Sequence, residues 1–428
     1  MMNLINKTTA NNTIAFDAET MLSCMRLRRI LKENHYSSIE SIAFNKIGHH
    51  KNLVATVAKD QANIYDNQHV GEAFDLMCNL QNVKTDYTDG GILNHCTWVE
   101  SQVETNSLLA VAGESKDISV ISVQDLRVKY LMKGHTEEIV GLCPMKIDES
   151  TGNCNLLSIS KDNTIRVWNV EKEECVYVCE YNNPTSIAMH PTMKNIFFTS
   201  NSAGQIHYWS FDYVSISSSN RNGSSGSSSA KKKRKLSKTK KKAIAKDPSA
   251  NTSTSNIVTL TSNHLLATAA KDVQINQLIA MERNVEDSNI SAILVSKTVR
   301  GQIDVYDIDP KYIKKGKELE RASTFKLEDE TGLCKMDVTS NGEYVIGGDD
   351  DGTVFIKNLM SGKLINELEY YRIKGQIQDI AVSSDLKYIL FTTEYGLIFR
   401  FDFDKEQAQA KNNMVAAGVE NPEAEIAD

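Results

Sequence analysis

The stretch Leu156-Leu157-Ser158-Ile159-Ser160-Lys161-Asp162-Asn163-Thr164-Ile165-Arg166-Val167-Trp168-Asn169-Val170 decides the fold. Apolar residues alternate up to Lys161-Asp162-Asn163, which is turn chemistry. Alternation then resumes to Trp168. Two alternating runs around a short polar turn predict a β-hairpin with one face in a core. Upstream, Gly134-His135 stands 33 residues before Trp168.

A Gly-His, then a hairpin whose turn holds Asp, then Trp-Asn, resembles the WD40 repeat. The pattern has a physical reason. Buried polar groups need partners. In such repeats the His, a strand Ser or Thr, the turn Asp and the Trp indole N–H bond to one another. Here these positions are His135, Ser158 or Ser160, Asp162 and Trp168. The network serves folding rather than catalysis.

Degenerate copies of the hairpin recur at Leu53–Asp66, Leu108–Val123, Ile196–Ser210, Ala292–Asp307, Tyr344–Asn358 and Tyr388–Asp402. Positions equivalent to Trp168 fall at Tyr65, Ile121, Trp209, Tyr306, Lys357 and Phe401. Most gaps are 41 to 56 residues, near the repeat of roughly 40–45 expected for such blades. The expectation is an all-β, WD40-type seven-bladed β-propeller over residues 25–403. A further hairpin pattern at Leu265–Ile279 lacks the terminal aromatic-acid pair. It is assigned to the outer or inner strands of the fifth blade, and an eighth blade is the alternative. Met25–Leu31 is the expected N-terminal strand completing the last blade, because a ring must close to limit exposed edges. Residues 1–24 and the acidic tail 404–428 are expected to be flexible.

The 428 residues carry a formal charge of −7, which conceals a segregation. Arg221 to Lys246 holds eleven Lys/Arg and no Asp or Glu, leaving the other 402 residues at −18. The surrounding excursion, residues 215–256, opens with nine serines in sixteen residues. Such a composition cannot bury enough apolar area to offset ordering entropy, so a disordered insertion is expected. Within it, Lys231, Lys232, Lys233, Arg234, Lys235, Lys240, Lys241 and Lys242 stand in a run with nine Lys/Arg in twelve residues. Clustered cations on a flexible loop suit the acidic groove of a nuclear import receptor, and the expected compartment is the nucleus. They also suit phosphates, giving at most weak nucleic-acid contact, because no aromatic is present to stack on bases. The bland alternative is a solvated charged loop.

Other classes of function are not supported. No run of 18 or more apolar residues exists, so no membrane span is expected. The N-terminus has no apolar core behind a charged start, so no signal peptide is expected. The eight cysteines are dispersed, as in a reducing compartment. Cys175 and Cys179 share a strand face but have no second pair at zinc spacing, so they read as free thiols. Asp349-Asp350-Asp351-Gly352 reads as a hairpin turn rather than a calcium loop. His49-His50 reads as loop surface rather than a metal pair. No phosphate-binding glycine loop and no Gly-x-Ser-x-Gly elbow occurs. No cofactor, no metal and no catalytic residue is assigned, and the chain is not expected to be an enzyme.

Two stretches go beyond a generic WD40 pattern. One is His95-Cys-Thr-Trp-Val-Glu followed by Ser107-Leu-Leu-Ala-Val-Ala-Gly and then Lys133-Gly-His-Thr through Trp168-Asn169. The other is Leu31-Lys-Glu-Asn-His-Tyr-Ser-Ser-Ile-Glu-Ser-Ile-Ala-Phe-Asn followed by Leu53-Val-Ala-Thr-Val-Ala. Together they resemble the extra sex combs/embryonic ectoderm development family, the WD40 subunits of Polycomb repressive complex 2. The likeness is best over residues 25–211, weaker but collinear over 292–402, and absent from the insertion.

The resemblance implies a scaffold that binds a SET-domain histone methyltransferase of the histone H3 lysine 27 type. It also implies that trimethyl-lysine of a histone H3 tail is read in an aromatic cage, whose ring faces attract a quaternary ammonium. One cage aromatic is retained as Phe44. A family Tyr is replaced by Glu100, and an adjacent Trp-Tyr falls on Cys334 and Lys335, with Met336 retained. The expectation is therefore a kept scaffold role with a weakened or rebuilt reader, for which Trp98, Tyr36 and Tyr87 are the nearby aromatics. The competing reading is another nuclear WD40 adaptor, such as a ribosome-assembly factor or a ubiquitin-ligase substrate receptor. The ligase-receptor form usually carries Trp-Asp-x-Arg, and Trp168-Asn169-Val170-Glu171 lacks both the Asp and the Arg.

Overall fold

A computed structural model describes residues 16–35, 37–69, 73–82, 91–102, 106–147, 153–214, 257–269, 273–284, 290–309, 313, 318–327, 332, 334–370, 373 and 375–416. Seven antiparallel four-stranded sheets follow one another along the chain. Blade 1 runs from Ser41 to Gln81, blade 2 from Leu93 to Met132 and blade 3 from Ile139 to Glu180. Blade 4 runs from Pro184 to Thr268, blade 5 from Ile275 to Lys326 and blade 6 from Met336 to Leu368. Blade 7 takes three strands from Ile377 to Phe403 and its fourth from the other end of the chain. The first strands of successive blades touch one another all the way round, blade 7 against blade 1 included. The chain is thus a closed seven-bladed propeller with its first strands innermost.

Burial follows from that layering. Second strands are covered by the blades on both sides, so Leu53–Ala58, Leu108–Gly113, Leu156–Ser160 and Ile196–Asn201 are buried at every position. This is why they read as near-continuous apolar runs. Fourth strands lie at the rim, and Glu174–Glu180 has exposed and half-buried residues but no fully buried one. The apolar core is divided into seven clusters, one at each seam between blades. Trp168 packs at the seam of blades 2 and 3 with Val99, Leu108, Ile118 and Ile139.

Closure is made by Met25–Lys32, which pairs antiparallel with Leu397–Phe403 from Met25 opposite Phe403 to Lys32 opposite Leu397. Behind it, Arg400 forks onto Asp402 at 2.7 and 2.9 Å and donates to the Asn67 carbonyl at 2.9 Å. A buried guanidinium is thereby paired on blade 7 and tied to blade 1.

Three expectations change. Leu265–Ile279 is not confined to blade 5: Leu265–Thr268 belongs to the outer strand of blade 4, and Ile275–Ile279 to the inner strand of blade 5. Within 1–24, Ala18–Ser23 is a helix capped by Asp17, with Leu22 fully buried at the seam of blades 6 and 7. Within 404–428, Lys405–Ala416 is a helix whose Ala408 is buried. Both segments border the closing sheet, and one buried apolar side chain on each gives it a reason to order. The expected insertion falls between Val214 and Ile257, which pair with each other at the tip of the blade 4 outer hairpin. Residues 215–256, with the Lys231–Lys242 run, lie outside the described residues.

Candidate functional site

Each blade repeats one path, so every inner strand begins on one face of the ring and ends on the other. We call these the start face and the end face. Loops from an outer strand to the next inner strand, and turns between second and third strands, lie on the start face.

The blade 3 network is assembled there. Trp168 donates its indole N–H to Ser158 Oγ at 2.8 Å, and His135 Nε2 lies 2.7 Å from the same oxygen. His135 Nδ1 is 2.9 Å from Asp162 Oδ2. Ser158 Oγ receives the indole, so its own proton goes to His135 Nε2. That leaves Nδ1–H to donate to Asp162, and one direction of donation runs through the chain. Asp162 also accepts from the Thr136 and Thr164 N–H groups. Burial works to raise its carboxyl, but hydrogen bonds from Thr164, Thr136 and His135 outweigh it and hold it below the ordinary range. Burial lowers His135, and Asp162 opposes this only in part. Ser158, not Ser160, is the network serine. Ser160 donates to the Glu137 carbonyl and accepts the Asp162 N–H. Gly134 adopts φ +156°, a backbone conformation that L side chains rarely take, and a Cβ there would also push the Arg166 guanidinium aside.

Blade 1 holds a rebuilt version that the repeat pattern did not reveal. Tyr65 replaces Trp and Thr56 replaces Ser. The carboxylate comes from Glu33 in the entering loop instead of from the turn. Thr56 and Tyr65 hydroxyls both donate to Glu33 Oε1 at 2.6 Å, and His35 Nε2 is 2.5 Å from Oε2. Burial raises Glu33, yet these bonds hold its carboxyl below the ordinary range. The available signal was Glu33-x-His35 before the inner strand. Asp349 accepts from the Asp351, Gly352 and Thr353 N–H groups, so the acidic run is a side-chain-capped turn.

The four cage positions do not come together. Phe44 ends its inner strand and Glu100 directly follows the next, so both lie toward the end face. Cys334 and Lys335 directly precede an inner strand, on the start face. At about 3.3 Å per residue, an inner strand of four to seven residues separates its ends by about 10 to 20 Å. Phe44 is core, 5% exposed among Val54, Tyr65, Ala381 and Leu390. Glu100 accepts the Ile147 N–H at 2.7 Å. The Cys334 thiol is buried and accepts the Gly348 N–H at 3.3 Å. Trp98 is 3% exposed and donates to the Ala43 carbonyl, so its ring is not offered to a ligand. Tyr36 and Tyr87 lie outside the described residues.

Lys335 instead joins residues that sequence reasoning missed. A start-face cavity of about 470 Å³ is lined by Ser38, Glu40, Lys335, Gln378 and Glu394, from blades 6, 7 and 1. Lys335 Nζ donates to the Glu40 carbonyl at 2.5 Å and lies 3.6 Å from Asp379 Oδ2. Asp379 also accepts the Ile42 N–H at 2.9 Å. Burial raises the Asp379 carboxyl, and the Lys335 ammonium pulls against it. Burial, with Lys335 adding to it, lowers nearby His95 to about 3. The missed signal was positional: Glu40 and Lys335 both immediately precede an inner strand.

A closed ring of seven four-stranded blades with this hydrogen-bonded network defines a WD-repeat β-propeller. The WD domain, G-beta repeat family matches residues 126–169, which contain the whole blade 3 network. Among curated proteins, the chain is 30% identical over 150 residues to Polycomb protein esc of Musca domestica, covering 35% of this chain and 33% of that protein. It is 28% identical over 119 residues to Polycomb group protein FIE1 of Zea mays, covering 27% and 25%. It is also 32% identical over 79 residues to WD repeat-containing protein 44 of Xenopus laevis, covering 18% and 8%. The match spans a third or less of the length of these relatives.

Proposed function

We propose that this chain is a non-catalytic WD40 scaffold of a Polycomb repressive complex 2-like histone H3 lysine methyltransferase, of the lysine 27 type, acting in chromatin silencing. It binds the SET-domain catalytic subunit and docks basic histone tails. The observation that carries the reading is the likeness to Polycomb proteins of both a fly and a plant, borne on a closed ring of this kind. A chain that carries −18 outside the Arg221–Lys246 stretch suits basic partners electrostatically. The Lys231–Lys242 run acts as a nuclear localisation signal and makes weak nucleic-acid contact at most. The methyl-lysine reader is weakened or rebuilt: in support, two of its four positions lie toward the opposite face from the other two, which are a buried thiol and an ammonium.

Affinity purification of the tagged full chain with mass spectrometry tests the reading. A SET-domain methyltransferase is expected in the eluate. Pre-ribosomal proteins or a ubiquitin ligase in its place would favour the adaptor reading, which the likeness to WD repeat-containing protein 44 keeps in view.

A further inference from the structure

The start-face cavity has a floor built for a cation, and the cation in it belongs to the chain. The Lys335 ammonium, its side chain 29% exposed, reaches from blade 6 past blade 7 to the Glu40 carbonyl of blade 1. The Asp379 side chain is 7% exposed and 3.6 Å away. Glu40 and Glu394 line the same cavity. The ammonium therefore meets one carboxylate and one carbonyl, in a cavity with two further acidic residues in its lining. Asp379 accepts the Ile42 and Ile380 N–H groups, and Lys335 is the cation set against its buried charge, so removing Lys335 leaves that charge without a counter-ion.

We propose that this cavity is a cation-binding site which the protein fills with its own Lys335, so that a primary ammonium or guanidinium of a basic partner peptide enters only by displacing it. The inference rests on the reading of the propeller as a dock for basic tails. Capture of a methyltransferase by the full chain and rescue of the Lys335→Ala variant are read out separately, so either can fail alone. Two properties follow. The tethered Lys335 competes at a high local concentration, which weakens apparent affinity for any external cation. The contact with the Glu40 carbonyl needs an N–H donor, which a quaternary ammonium lacks. The site therefore favours unmethylated over trimethylated lysine, the reverse of an aromatic cage.

Chemical rescue tests this with the full chain carrying Lys335→Ala. The probes are n-butylammonium chloride and butyltrimethylammonium chloride, at ionic strength matched with sodium chloride, and the readout is the thermal midpoint. The variant should melt below wild type and recover saturably with butylammonium, at a concentration about tenfold or more below any wild-type response. Butyltrimethylammonium should not rescue it, and Lys335→Arg should behave as wild type. Equal responses from wild type and the Ala variant would overturn the proposal. So would a folded variant with no saturable response, or a response that survives the added Asp379→Asn. Should the Ala variant not fold, Lys335→Met keeps the stem packing and takes its place under the same criteria.

Discussion

At the scale of single residues, the blade 3 network turns a repeat signature into an energy. Ser158 bonds both the Trp168 indole and His135. Ser158→Ala leaves two buried polar groups short of a partner and should cost about 1–3 kcal/mol, measured by denaturant unfolding. Trp168→Phe in that background should be non-additive by about 0.5 kcal/mol or more, since both changes break one bond. Acid should destabilise the protein in two stages. His135 and His95 are held neutral by burial. The unfolded chain therefore binds more protons, and stability falls as pH drops below the ordinary histidine value of about 6.5. Glu33 and Asp162 have folded carboxyls below their ordinary range. Their contribution is present above about pH 4 and is lost as pH falls toward the folded values. Thermal midpoints should fall from about pH 6.5 to pH 3, and His95→Asn should flatten the upper stage. A midpoint independent of pH between 7 and 5 would contradict the assignment of neutral, buried histidines. The blade 3 residues were legible because they sit at fixed spacing on one hairpin. The Lys335 cluster was not, because Glu40, Lys335 and Asp379 are far apart in sequence and meet only when the ring closes.

At the scale of elements, the strands were readable and the ends of the chain were not. Second strands announce themselves as apolar runs between turn residues, because a blade covers each side of them. All seven third-strand positions equivalent to Trp168 lie on third strands. Leu265–Ile279 was misread because an outer strand and the next inner strand, joined by a short loop, imitate a hairpin. The cage positions lie apart for a geometric reason. A motif aligned on the end of an inner strand lands on the opposite face from one aligned on its start. Two predictions belong here. Removing residues 1–32 takes away Met25–Lys32 and leaves Leu397–Phe403 as an open edge. The truncated chain should self-associate in size-exclusion chromatography, where the full chain elutes as a discrete species. Replacing residues 215–256 by Asn-Gly should be tolerated, because Val214 and Ile257 are already paired and a two-residue turn can join them. The thermal midpoint should stay within about 2 °C of wild type, which in a domain of this size corresponds to less than about 2 kcal/mol. Nuclear accumulation of a fluorescent fusion should be lost. A cytosolic wild type, or a variant still nuclear, would remove the targeting role from the Lys231–Lys242 run.

At the scale of the whole molecule, charge and topology divide the work. The ring has its core split into seven seams that each join two blades. The excess of positive charge is set on one hairpin of blade 4, outside the ring closure. Such a body suits holding partners together better than chemistry, because its buried His and carboxylate groups are spent on folding. The central claim is that the ring sustains a partner's methyl transfer without transferring methyl groups itself. The direct measurement is transfer of labelled methyl from S-adenosylmethionine to histone H3 by the purified complex, reconstituted with and without this chain. The account predicts no transfer by the chain alone and at least about a tenfold loss, or 1.4 kcal/mol, when it is omitted. Equal transfer with and without the chain would contradict it.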